Sequence, residues 1–420
     1  MTALPRPFHR LFAASTTANL GDGLVLVGVP LLALRLTREP VLIAGIQAAF
    51  TLPWLLFALQ AGALADRRGR RGLMVSSATL RAVVLALAGG AALTGNLTLG
   101  AIYLAVFVVG VGEVVFDTTS QSMVPALVDR DDLGRANGRL IGAQTVMNNF
   151  VGAPLAGLLV GIAGAAVLLG PAALYLAAAV LLAGLPQGYR PEQRPPATMR
   201  ADIAEGVRHL WQHPTLRSLG LLGAVLNLAN AAYFGVIVLF VVGEDSPMGL
   251  PEVAFGALAA TLAAGSVVGS LLAARIEGHL GPRRTVLVGV AAASLVMLVP
   301  LVTTAVTPIA AMAFLLGVSS VVVNVVTVSS RQRIVPGVLL GRVNASFRLL
   351  VMGTMPLGAT LGGVIASATS LRTTFATAVV LQLLALVALH RPITDAALFA
   401  ARRDDPSGHD APADAVPTAS

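Results

Sequence analysis

The chain has no cysteine, no lysine, few charges of either sign, and aromatic residues at only 5% of its 420 positions. Each shortage removes a class of function. Without cysteine there are no disulfides and no thiolate metal ligands. Without lysine the phosphate-gripping residue of a nucleotide-binding loop is missing, and no GxxxxGK[ST] pattern occurs. Of six scattered histidines, only His209 and His213 share a helical spacing, and they precede Pro214 in a polar stretch that suits solvated residues. With no metal-ligand cluster and no nucleophile constellation, we expect no metal, no cofactor and no enzymatic activity. Sparse aromatics also give no grounds for a cage around flat cations.

Only 11% of residues are charged, against about 25% in soluble domains. The formal net charge of +8 would suit nucleic acid, but the arginines lie between long apolar runs, so no nucleic-acid partner is expected. Turn and charge signals divide the chain into twelve apolar spans. They fall near 10–35, 41–64, 73–95, 99–125, 138–162, 165–187, 216–243, 252–275, 284–304, 308–330, 342–368 and 371–390. Crossing a bilayer takes about 20 helical residues, so every span is long enough or nearly so. The pattern predicts an all-α integral membrane protein with twelve transmembrane helices. Two six-helix bundles, residues 1–187 and 216–390, flank a linker at 188–215, and a disordered tail follows at 391–420. In the linker, Ile203, Val207, Leu210 and Trp211 share one helical face, as an interfacial helix requires.

Arginine placement orients the chain. With the N-terminus in the cytoplasm, only Arg35, Arg38 and Arg372 of the 28 arginines fall at the outer face. This bias follows the positive-inside rule and puts both termini in the cytoplasm. The expected location is the bacterial inner membrane, as a monomer in contact with lipid.

The halves repeat. Asn19-Leu20-Gly21-Asp22 matches Asn227-Leu228-Ala229-Asn230, Gln121, Val124 and Pro125 match Gln332, Val335 and Pro336, and Gly134-Arg135-Ala136-Asn137 matches Gly341-Arg342-Val343-Asn344, each about 210 residues apart. Between spans 2 and 3 lies Gly62-x-x-x-Asp66-Arg67-x-Gly69-Arg70-Arg71. This segment resembles the loop between helices 2 and 3 of the major facilitator superfamily (MFS). Residues 124–137 and 205–217 are similar to the same regions of the bacterial branch that includes macrolide-efflux and siderophore-export proteins. Gly152, Pro154 and Gly157 in span 5 resemble the Gly-Pro motif of drug/proton antiporters. The likeness covers about residues 8–390 and implies a secondary transporter of small molecules that works by alternating access. It also implies that Asp66 sits near Arg342 and that Arg70 pairs with span 4, through Asp117 or Asp129, as a latch between halves. The helix-4 arginine usual in drug/proton antiporters is absent; its position is Val106. The matching C-terminal turn keeps Arg283-Arg284 but has no aspartate equivalent to Asp66.

A carboxylate in hydrocarbon costs roughly 2.5 kcal/mol or more. Three acids nevertheless fall inside spans: Asp22 in span 1, and Glu113 and Asp117 in span 4. They are the candidates for proton coupling, with neutral, hydrogen-bonded packing as the alternative. Asp22 maps onto Asn230 and Glu113 onto Asn324, so the acids of one half have become amides in the other. We therefore expect titration in the N-terminal half, and hydrogen bonds to substrate from Asn19, Asn227, Asn230, Asn324 and Tyr233. Arg81 and Arg348, inside spans 3 and 11, are expected to snorkel to headgroups. The expected activity is proton-coupled export of drugs, antibiotics or siderophore-like molecules. The alternatives are a nutrient importer or facilitator, or a transporter-shaped receptor.

Overall fold

The computed structural model describes residues 4–129, 132–186 and 199–399, and these are helical apart from turns and one isolated bridge. Six crossings come first: α1 (Arg6–Ala33), α2 (Pro40–Arg67), α3 (Arg70–Leu93), α4 (Leu99–Leu127), α5 (Leu133–Ile162) and α6 (Ala166–Ala183). A linker helix, α7 (Met199–Gln212), leads to α8 (Pro214–Val241). The next helical segment, Glu252–Val296, holds two crossings, α9 at 252–280 and α10 at 282–296, because Gly281 turns the chain at φ 76°. Glycine takes that backbone without a steric cost, and Pro282 then opens α10. The chain closes with α11 (Val306–Ile334), α12 (Gly337–Gly353, continued by Met355–Ala368), α13 (Leu371–Leu389) and the short α14 (Asp395–Phe399). The twelve long crossings form two six-helix bundles, as the sequence pattern predicts.

Local chemistry explains the helix starts. Proline occupies the first turn of α1, α2 and α8, where its missing N–H is no loss. Thr98 caps α4 by accepting from the Ala101 N–H, and Ser370 caps α13 by accepting from Thr373. Small residues then let helices approach closely. One close approach is between α1 and α5, where a Cβ on Gly152 would lie 2.8 Å from the Gly23 Cα. At that point α5 widens into a π-helix over Val146–Gly152, which presses the Asn148 backbone against Gly23.

The bundles are clasped at the end that carries Arg35, Arg38 and Arg372. Arg35 pairs with Glu252 at 3.5 Å, Arg38 donates to the Val242 carbonyl at 3.0 Å, and Ser367 bridges Glu39 and the Val41 N–H. These contacts join the two bundles directly at this end.

Two peripheral segments depart from expectation. In α7, Leu210 is buried beside Leu216, Val335 and Val343, so only Val207 and Trp211 of the expected face are exposed. The Ile203 side chain lies outside the described residues. Residues 391–399 of the tail are among the described residues and pack on the C-terminal bundle, and residues 400–420 lie outside the described residues. Ile393 and Leu398 are fully buried among α8, α10 and α11, which explains why this polar-looking stretch packs. Asp395 accepts the Arg283 N–H at 3.0 Å, so the tail supplies a carboxylate at the turn whose own sequence has none. Asp395→Ala removes that cap and should cost about 1 kcal/mol, lowering the unfolding midpoint in detergent by a few degrees. An unchanged midpoint would show that the contact carries no stability.

Candidate functional site

The deepest charges in the N-terminal bundle form one linked group. Asp22 of α1 is ion-paired with Arg81 of α3, and Tyr175 of α6 joins both. The Arg81 Nη2 donates to the Tyr175 hydroxyl at 2.8 Å, and that hydroxyl donates to the Asp22 Oδ1 at 2.7 Å. Arg81 and Tyr175 are fully buried and Asp22 is 6% exposed. Glycines make the room. The face of Gly21 meets the Tyr175 ring, and Gly112 of α4 meets the Arg81 stem. Arg81 therefore does not snorkel, because a carboxylate within reach satisfies it more fully than distant headgroups do. Its Nε and Nη1 have no hydrogen-bond partner.

Glu113 and Asp117 lie one turn apart on α4, both half-buried. The Glu113 Oε2 is buried without a partner, while the Asp117 Oδ2 takes the Gln144 amide from α5 at 3.5 Å. Arg81 and Arg348 are the cations whose fields reach both acids. Arg348, on α12 in the other bundle, stacks 4.2 Å over Trp54 of α2. It too has a local partner, and that aromatic face holds it within the membrane.

The C-terminal bundle has a neutral counterpart. Ser294 of α10 lies 2.8 Å from the Gln382 Oε1 of α13, and the Gln382 Nε2 donates to the Asn230 Oδ1 of α8 at 2.9 Å. Asp22, Arg81 and Tyr175 are each separated from Asn230, Ser294 and Gln382, respectively, by roughly 210 residues. The same three positions thus carry a charged triad in one bundle and an uncharged triad in the other. Beside the neutral triad lies a pocket of about 290 Å³ lined by Asn227, Asn230, Asn324 and Gln382 with Ser320 and Thr327.

The structure brings Asn227, Asn230 and Asn324 together but leaves two expected substrate contacts elsewhere. Asn19 is buried and folds its amide back onto the Ser15 carbonyl at 2.7 Å, which uses the donor within α1. Tyr233 is fully buried, its ring 4.4 Å from Phe375 and its hydroxyl 3.4 Å from the Met297 carbonyl, so it is core. Gly152 meets α1, while Pro154 and Gly157 pack on Gly256 of α9, forming a seam between bundles. In the basic turn, Gly62 lies within α2, Gly69 precedes α3, and Arg71 donates to the Ala183 carbonyl. Arg70 makes no ion pair with Asp117, whose carboxylate faces Gln144, and Arg342 pairs with Glu205 of α7. The side chains of Asp66 and Arg67 lie outside the described residues.

Tyr175, Gln382 and Ser294 carry no sequence signal, because tyrosine, glutamine and serine are unremarkable in an apolar helix. Arg81 did carry one: an arginine mid-span needs a partner, and Asp22 was available. Breaking this buried pair should be costly. Arg81→Met should lower stability by about 3–5 kcal/mol through the uncompensated Asp22, and Arg81→Met with Asp22→Leu should recover most of it. Chemical unfolding in detergent distinguishes this from additive losses, which would contradict the pairing.

Comparison with known proteins agrees with this architecture. Residues 5–409 match the model of a family described as transmembrane secretion effector. The multidrug efflux pump Tap of Mycolicibacterium fortuitum is 28% identical over 410 residues, covering 92% of this chain and 96% of that protein. Among solved structures, a mutant of the nucleoside transporter NupG superposes with a TM-score of 0.76 at 12% identity, over 93% of this chain and 100% of that one. A bacterial homologue of the iron transporter ferroportin, in an inward-facing state, gives 0.72 at 17% identity, over 93% and 100%. A multi-pass membrane protein of this fold, matched over nearly its whole length, belongs to the transmembrane secretion effector family of MFS transporters.

Proposed function

We propose that the chain is a proton-coupled exporter of cationic or amphipathic small molecules in the bacterial inner membrane, in which Glu113 and Asp117 carry the exchanged proton. The reading rests on the Glu113 Oε2, which is buried and has no hydrogen-bond partner in this conformation. A proton satisfies it, and so does a cationic solute. Asp22 is already neutralised by Arg81, so its role moves from titration to holding the cation in place. Gly112, next to Glu113, lies against the Arg81 stem, and the unpartnered Arg81 Nη1 is the donor that a deprotonated Glu113 turns to.

The arginine bias supports cytoplasmic termini. With that orientation, the clasp of Arg35, Arg38 and Glu39 closes the outer face, and the cleft opens inward. Solute enters from the cytoplasm and displaces the proton. The bundles then rock about the α5–α9 seam, and reprotonation from outside resets the carrier. Export rather than import is supported by the likeness to an efflux pump. The protein works as a monomer, with protons, lipid and solute as its partners.

Transport in proteoliposomes with an imposed pH gradient tests the assignment, with tetraphenylphosphonium and ethidium as probes. Glu113→Gln should reduce gradient-driven transport at least tenfold, and Asp117→Asn by a smaller factor, with both proteins folded. Full gradient-driven transport by the Glu113→Gln protein would overturn the reading.

A further inference from the structure

We propose that the pocket in the C-terminal bundle is a specificity subsite for an uncharged, hydroxyl- or amide-bearing part of the solute, its hydrogen-bonding polarity set by the Ser294–Gln382–Asn230 chain. This deepens the exporter reading and rests on it for the solute's cationic part.

The lining supports that chemistry. None of the seventeen residues around the pocket is ionisable, although the bundle opposite holds Asp22, Arg81, Glu113 and Asp117 in its interior. The polar groups are three asparagines, a glutamine, a serine and a threonine, set among leucine and valine side chains. A charged guest would lose its hydration with nothing of opposite sign to replace it. A neutral guest that both donates and accepts finds partners for each function.

The amide orientation of Gln382 sets the direction of the chain. The Ser294 hydroxyl, fully buried, has two acceptors in reach, the Gln382 Oε1 at 2.8 Å and the Val290 carbonyl at 2.9 Å, while the Gln382 Nε2 faces two further acceptors, the Met297 sulfur at 3.8 Å and Asn230. In this orientation the Gln382 Nε2 donates to the Asn230 Oδ1. Asn230 is then held with its Nδ2 as a donor toward the pocket. Asn227 has the opposite arrangement: its Nδ2 is used on the Gly223 carbonyl at 3.0 Å, so the Oδ1 is left as an acceptor. A donor and an acceptor one helical turn apart match an amide, or neighbouring hydroxyls on a ring. Ser320, Asn324 and Thr327 follow at helical spacing on α11, and Ser320 and Asn324 are exposed, which provides the entrance. At about 290 Å³ the pocket holds the volume of about ten waters, enough for one substituted ring and not for a whole amphipathic drug.

Binding to the purified full-length protein tests this without requiring transport. The probes are puromycin, an amine joined through an amide to a hydroxylated nucleoside, and tetraphenylphosphonium, a cation with no hydrogen-bonding group. Asn230→Leu and Asn324→Leu should each weaken puromycin binding about five- to tenfold, the size of one lost neutral hydrogen bond, and leave tetraphenylphosphonium unchanged. Gln382→Leu, which touches the pocket's polarity through Asn230, should do the same. Asn230→Asp keeps the shape but replaces the donors with a carboxylate, and should turn the preference toward tetraphenylphosphonium. Equal loss of both probes, or loss of neither, would overturn the subsite. If the wild type binds puromycin in an Asn230-dependent manner but never binds tetraphenylphosphonium, the cationic part of the exporter reading fails and the subsite stands.

Discussion

The ion pair between Asp22 and Arg81 is the constraint around which the N-terminal bundle is built. Two opposite charges deep in an apolar interior are tolerable only together, and Tyr175 completes their hydrogen bonding. The three residues come from α1, α3 and α6, so one polar contact ties the first, third and sixth crossings of the bundle. Other features follow from it. Gly21 and Gly112 leave space for the tyrosine ring and the arginine stem. Because Asp22 is occupied, the proposed exchange of proton and solute is assigned to the remaining acids, those of α4.

The C-terminal bundle makes the same three-helix tie without charge, through Asn230, Ser294 and Gln382. Duplicated bundles have thus diverged at corresponding positions, one toward electrostatics and the other toward neutral hydrogen bonding. That division suits a carrier of amphipathic solutes. In the proposed exporter, a cationic part would meet carboxylates of one bundle, while a neutral part would meet amides of the other. Under the same proposal the coupling chemistry would be limited to one bundle, and rocking of the halves would change the surroundings of a single set of acids.

Much of this was legible in the sequence, because bilayer thickness leaves so few choices. Twelve apolar spans, the repeat of about 210 residues and the substitution of Asp22 by Asn230 could all be read from spacing. The grouping of Asn227, Asn230 and Asn324 followed from the repeat as well. What escaped was partnership. Sequence depth placed Arg81 and Asp22 inside the membrane, but only the packing of both α1 and α3 on α6 joins them. Asn19 and Tyr233 looked available because a sequence does not say which face of a helix meets the cleft. The packed start of the tail was hidden by its polar composition, since two buried side chains, Ile393 and Leu398, and one carboxylate are enough to hold it.

In the proposed cycle Glu113, and not Asp22, exchanges the proton. This is tested most directly by measuring proton release from the purified protein in weakly buffered detergent as tetraphenylphosphonium binds. The proposed cycle predicts release of up to about one proton per protein from the wild type, and a greatly reduced release from Glu113→Gln, with binding retained. Undiminished release from Glu113→Gln would contradict it.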